Sequence, residues 1–180
     1  MPLNIKLDRP LILIGLMGAG KSTVGRALAD HFGLPFVDSD EEIEAAADCS
    51  ISDIFEIYGE VEFRALEKRV MDRLINHGPM ILATGGGAFI NEQIRHNALD
   101  RGIVIWLSAG LDSLVNRTSR RGGRPLLKVN DPRETLKKLM DERYPIYGKA
   151  HIIIDTDDET LDSTLDKIIF ALKKHAEPTK

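Results

Sequence analysis

Short apolar runs alternate with amphipathic stretches along nearly the whole chain. The runs LILIGL (11–16), PFVDSD (35–40), MILATGGG (80–87), IVIWLS (103–108) and HIIIDTD (151–157) are rich in Ile, Val and Leu, the pattern of buried strands in a parallel sheet. Between them, helical periodicity predicts helices over 21–32, 60–77, 91–101, 110–121, 132–147 and 159–174, with one or two shorter helical stretches inside 41–58. Helix 60–77 shows the logic: Phe63, Leu66, Val70 and Leu74 share one face, while Glu60, Glu67, Arg69 and Arg73 occupy others. Pro145 is expected to kink or end the helix 132–147. Strands alternating with helices imply a doubly wound, three-layer α/β/α fold around a five-stranded parallel sheet with right-handed crossovers. Trp106 and the run Ile152 to Ile154 are expected in the core. Neither a repeat nor a linker interrupts the pattern, so residues 1–180 are read as a single domain.

Composition narrows the function classes. The 180 residues are 43% hydrophobic and 29% charged with a formal net charge of -4, ordinary for a globular protein and against bulk electrostatic binding of nucleic acid. Cys49 is the only cysteine, which excludes an intramolecular disulfide and a multi-cysteine metal site. The histidines, His31, His77, His96, His151 and His175, lack metal-ligand spacing and are read as structural or surface groups. MPLNIKLDRP lacks a signal-type apolar core, and every apolar run falls short of the roughly 18 residues a membrane span needs. The expectation is a soluble cytoplasmic protein without membrane or nucleic-acid partners. A monomer is the default, because no exposed apolar stripe is evident in the pattern.

The chemistry begins at GLMGAGKST, residues 15–23, between the first strand and the first helix. Gly15, Gly20, Lys21 and Ser22 satisfy G-x-x-x-x-G-K-[ST] in the strand-to-helix context this phosphate-binding loop requires. Gly18, Ala19, Gly20, Lys21, Ser22 and Thr23 are therefore the expected ATP-binding residues, with the lysine reaching the phosphates and the serine ligating Mg²⁺. A GTPase reading loses support, since the Asn/Thr-Lys-x-Asp guanine motif is absent from the sequence. A small-molecule kinase remains.

The acceptor is read from four further features. Asp38 and Asp40 in DSD face the same side if the backbone there stays extended, one orienting Mg²⁺ through water and the other serving as base; the alternative is that one merely caps the next helix. Gly85, Gly86 and Gly87 end the third strand, where ligands bind in open α/β sheets, and offer bare amides to a hydroxyl or carboxylate unless they form only a tight turn. Arg64 and Arg143 suit a carboxylate, although Arg64 could instead pair with Glu60 one turn earlier. Residues 113–130 hold no acidic side chain but carry Arg117, Arg120, Arg121, Arg124 and Lys128, which suits a lid over the triphosphate.

Taken in order, GLMGAGKST, FVDSDEEIE, SISDIFEIYGEVEFR, ATGGGA, GRPLL and ERYPIY resemble the shikimate kinase family from the phosphate-binding loop through the last helix. The resemblance implies a fold like that of the nucleoside monophosphate kinases and transfer of the ATP γ-phosphate to the 3-hydroxyl of shikimate, in chorismate and aromatic amino-acid biosynthesis. It also implies Mg²⁺ held by Ser22 and, through water, by Asp38. Lys21, Asp40 and Arg124 would be catalytic, Asp40 binding the ring hydroxyls and acting as base. Arg64 and Arg143 would grip the carboxylate, Gly86 with its neighbours Gly85 and Gly87 would contact the substrate, and Phe55 and Phe63 would line its pocket. Arg117 and Arg124 would meet ATP. The resemblance further implies a substrate-binding helical segment at about 40–67 and a lid at about 118–131. Residues 155–160, DTDDET, are unusually acidic for a segment near adenine, so no ATP contact is assigned there. The rivals are a gluconate or nucleoside monophosphate kinase, which a different acceptor preference would reveal, and a non-catalytic ATP sensor, which would dispense with lysine, serine or base.

Overall fold

The computed structural model describes residues 5–120 and 131–176. Five parallel strands form one sheet: β1 (Leu11–Ile14), β2 (Phe36–Asp38), β3 (Ile81–Ala83), β4 (Ile103–Ser108) and β5 (Ile152–Asp155), in the order β2-β3-β1-β4-β5. Register follows from neighbouring apolar runs, with Leu11 opposite both Ile81 and Ile103 and Leu13 opposite Ala83 and Ile105. Helices α1 (Lys21–Phe32), α2 (Ser39–Ala47), α3 (Ile51–Ile75), α4 (Glu92–Arg101), α5 (Leu111–Ser119), α6 (Pro132–Tyr147) and α7 (Leu161–Ala176) connect and cover the strands. The central strand β1 is wholly buried, and each such aliphatic side chain contributes about 1.5–3 kcal/mol on leaving water.

Every predicted strand exists, yet most end sooner than the apolar pattern suggested. Strand β2 stops at Asp38 because its carboxylate caps α2, accepting from the amides of Asp40 (2.8 Å) and Glu41 (3.4 Å). The backbone therefore does not stay extended through DSD, and Asp40 stands in the first helical turn. Strand β3 gives way at Thr84, whose hydroxyl donates to the Leu13 carbonyl and ties the strand end to β1. At the sheet edge, β5 alternates rather than being buried throughout: Ile152 and Ile154 face the core, but Ile153 is 52% exposed.

Helix α3 carries a break at Gly59 (φ 82°), which separates the short helical stretch expected before residue 60 from the longer one after it. On that longer stretch Phe63, Glu67, Val70 and Leu74 are buried, so Glu67 belongs to the core-facing stripe and not to the polar side. Its spacing from Phe63 and Val70 is the i+4 and i−3 of one face, which outweighs its charge. Near the break Ile57, Tyr58 and Val61 are strongly exposed, beside the 39% exposed Phe55. This corrects the expectation that no apolar stripe reaches the surface. Pro145 lies inside α6, which ends two residues later at Tyr147.

Among the described residues no helix is long and apolar enough to cross a membrane. Trp106 is buried as expected. Cys49 is half-buried against the core. His151, at the start of β5, accepts through Nδ1 from the Val104 amide at 3.0 Å, a structural role.

Candidate active site

The C-terminal ends of the parallel strands converge on the phosphate-binding loop, which divides two cavities. Gly20 (φ 94°) precedes α1 in the left-handed region, which lets the chain turn sharply into the helix and leaves its amides facing outward. Lys21 Nζ folds over the loop, donating to the carbonyls of Gly15 (2.6 Å) and Leu16 (3.0 Å). An ammonium held on carbonyls at this position is ready to exchange them for phosphate oxygens.

On one side lies a cavity of about 220 Å³. It collects Lys21, Ser22, Asp38, Asp40, Phe55, Phe63, Arg64, the three glycines Gly85 to Gly87, and Arg143, all expected from the sequence, together with Glu67. The two carboxylates of DSD share this cavity although the strand ends between them. Asp38 engages Oδ1 in capping, which leaves the other carboxylate oxygen for an ion or its water. Ser22 and Asp38 together are the hard oxygen donors that suit Mg²⁺.

The three glycines have a steric purpose. A Cβ at Gly85 would stand 2.6 Å from Asp40 Oδ1, one at Gly86 2.9 Å from Arg143 Nη1, and one at Gly87 2.8 Å from Arg64 Nη1. The three do form a turn, closed by the Ala88 amide on the Gly85 carbonyl at 3.1 Å, but none of them has a left-handed φ, so glycine is favoured here by close approach and not by backbone conformation. Each missing side chain makes room for one acceptor-side functional group. The amides are not all bare: Gly85 donates to the buried Ser39 Oγ at 3.0 Å.

Arg64 does pair with Glu60, at 3.6 Å, but its Nη1 also turns inward to Glu67 at 2.9 Å. Glu67 is 3% exposed, and burial raises its carboxyl pKa while the charge and hydrogen bond of Arg64, and the charge of Arg143, pull it down. Of the carboxylates near the two guanidiniums only Glu67 is buried, while Glu60 is largely in solvent, which leaves the arginines able to engage one further carboxylate. Phe55 and Phe63 stack 4.5 Å apart at the wall.

The second cavity, about 320 Å³, is lined by Gly18, Ala19, Gly20, Thr23, Arg117 and Arg120 together with Thr156, Glu159, Leu161 and Thr164. Arg117 reaches across it, donating to the carbonyl of Thr156 at 2.7 Å and to that of Gly18 at 3.4 Å. Thr156 and Glu159 of the segment 155–160 thus border this cavity. Two carboxylates of that segment are engaged elsewhere: both Asp157 oxygens accept from the Gly110 amide (2.9 and 3.0 Å), and Glu159 pairs with Lys167 at 2.5 Å. The Asp157 carboxyl is held below its ordinary range by hydrogen bonds from Ser113 and Gly110. Arg121, Arg124 and Lys128, with most of the expected lid, lie outside the described residues.

The sequence reading assigns no site role to Ser39, Glu67, Tyr147 or Thr156, and it places Glu67 on the polar side of its helix. Only Glu67 carried a signal, its spacing on an apolar stripe; the others are common residue types whose partners are remote along the chain.

The sequence model of the family described as "Shikimate kinase" matches residues 17–173. A shikimate kinase of Brucella canis is 50% identical over 170 residues, covering 94% of this chain and 85% of that protein. The solved shikimate kinase from Acinetobacter baumannii in complex with shikimate superposes with a TM-score of 0.88 at 38% identity, covering 94% of this chain and 96% of that one. A gluconokinase from Sinorhizobium meliloti shares the fold, with a TM-score of 0.63 at 18% identity and coverage of 96% and 95%.

Proposed function

The chain belongs to the shikimate kinase family, whose members are ATP-dependent kinases, and we propose which of its residues carry the γ-phosphate of ATP to the 3-hydroxyl of shikimate. The observation that carries the assignment is the joint placement of Lys21, Asp40, Arg64 and Arg143 around one cavity on the acceptor side of the phosphate-binding loop. ATP occupies the neighbouring cavity, with its phosphates along Gly18 to Thr23 and its adenosine toward Arg117 and Thr156.

Arg64 and Arg143 bind the acceptor carboxylate, and Phe55 and Phe63 pack on its ring. Asp40 accepts a hydrogen bond from the reacting hydroxyl and takes its proton as the oxygen bonds to the γ-phosphorus and the bond from that phosphorus to the β,γ-bridging oxygen breaks, ADP leaving. Lys21 and Arg124 neutralise the charge spreading over the transferring group. Ser22, and Asp38 through water, would hold Mg²⁺, which when bound would offset the charge of the phosphates. Residues 40–67 form the substrate-binding segment and 118–131 the lid of a single domain, which works as a cytoplasmic monomer in this reading.

The test is ADP release by the purified protein with ATP and Mg²⁺ and, in turn, shikimate, gluconate or AMP. Release that requires shikimate and falls at least about 10³-fold in Lys21→Ala is the expected result. Release driven by gluconate or AMP instead would overturn the roles of Asp40, Arg64 and Arg143.

A further inference from the structure

Helix α6 brings a second residue to Arg143. Tyr147 follows it by one helical turn on the same face, fully buried against the rings of Phe89, Trp106 and Tyr144 at 6.4, 5.8 and 6.2 Å. Its hydroxyl donates to the carbonyl of Gly86, and the Arg143 guanidinium gathers at the same glycine: a Cβ at Gly86 would stand 2.9 Å from Arg143 Nη1 and 3.8 Å from the Tyr147 hydroxyl. A phenol has one proton and two lone pairs, so with the proton committed to Gly86 it can meet Arg143 only as an acceptor. One buried oxygen and the arginine thereby meet at the middle glycine of the turn that the arginine packs against. Tyr147 does not border the acceptor cavity itself.

We propose that Tyr147 is a positioning residue for the acceptor: it holds Arg143 and the Gly86 turn in mutual register, so that the substrate carboxylate meets an arginine already oriented. The proposal rests on the reading of Arg143 as a carboxylate clamp. Arginine side chains have many rotamers, and fixing one before binding removes an ordering cost from the binding step. Tyr144 is the internal contrast. It lies in the same aromatic cluster, but its hydroxyl donates to the Ala109 carbonyl, at the end of β4.

A double-mutant cycle with Tyr147→Phe and Arg143→Ala tests this, with Tyr144→Phe as control. The phenylalanine keeps the ring and its packing, so the melting temperature should fall by no more than about 4 °C. In the wild-type background Tyr147→Phe should raise KM for shikimate, and its Kd by calorimetry, about 10-fold, with KM for ATP within about twofold. In the Arg143→Ala background the same change should move KM for shikimate by less than about twofold, and Tyr144→Phe should leave it unaltered. An unchanged shikimate KM in Tyr147→Phe, an equal rise for ATP, or an undiminished effect without Arg143 would each overturn the positioning role. If Arg143→Ala itself left shikimate binding intact, the clamp reading would fall first and this proposal with it.

Discussion

The two cavities beside the phosphate-binding loop are built on different principles. The cavity proposed for the nucleotide joins three consecutive loop residues, Gly18 to Gly20, to the start of α1, to an arginine anchored on carbonyls and to residues 156–164, and its proposed anion-binding capacity lies in backbone amides at a helix N-terminus. The acceptor cavity draws on side chains from β2, α2, α3 and α6, and three glycines in a row exist to let three of those side chains come close. Backbone sites recognise what all nucleotides share. A site of converging charged side chains can select one acceptor, and it pays for that with sensitivity to small steric changes.

If the division of labour holds, Asp40→Asn should give the largest one-sided effect. Turnover should fall by about 10² or more while KM for ATP stays within about twofold, measured in steady-state kinetics with each substrate varied. A parallel rise in KM for ATP would mean that the two cavities do not act separately.

Glycine substitutions sharpen the contrast at intermediate size. In Gly86→Ala the new methyl would stand 2.9 Å from the flexible end of Arg143, which can move aside. The expected outcome is a KM for shikimate raised about 10-fold with little change in thermal stability. Gly33→Ala should do the reverse. There the φ of +64° is the constraint and nothing lies within 4 Å, so stability should drop by about 1 kcal/mol, or 2–4 °C, with both KM values unaltered. Equal behaviour of the two variants would remove the distinction between glycines needed for clearance and for conformation.

The smallest effect lies far from both cavities. Burial and the nearby His175 hold the His151 imidazole below its ordinary pKa of 6.5, with the Arg9 charge acting in the same direction and a hydrogen bond to Leu99 opposing it. The unfolded chain therefore binds the proton more readily than the folded one. This penalty is absent well above pH 6.5 and grows as pH falls through 6.5 toward the folded value. His151→Asn retains an acceptor for the Val104 amide, so its melting temperature should fall about 1–2 °C less than that of wild type between about pH 7.5 and 5.5. Both KM values should be unaffected.

Much of the molecule is legible in its sequence. The strand and helix alternation, the parallel sheet and the phosphate-binding loop are local patterns: they depend on residue periodicity and on turn chemistry within a few positions. Ser22 and Lys21 could be placed because their roles follow from one contiguous motif. The resemblance to shikimate kinases extended that reading to Arg64 and Arg143, which alone look like ordinary helix arginines. Strand ends were misjudged where a single side chain intervened, as when Asp38 capped α2 and stopped β2.

What the chain determined by itself, then, was the order of its elements and the chemistry of its contiguous loop, because both arise from interactions between near neighbours. Only the tertiary structure decided that Gly85, Gly86 and Gly87 each stand aside for a different partner, at positions 40, 143 and 64. It also decided that Glu67 is buried between arginines and that Tyr147 bonds a glycine 61 residues away. Those contacts join segments remote in sequence, and their partners are chosen by the packing of the whole sheet and its helices rather than by any local preference.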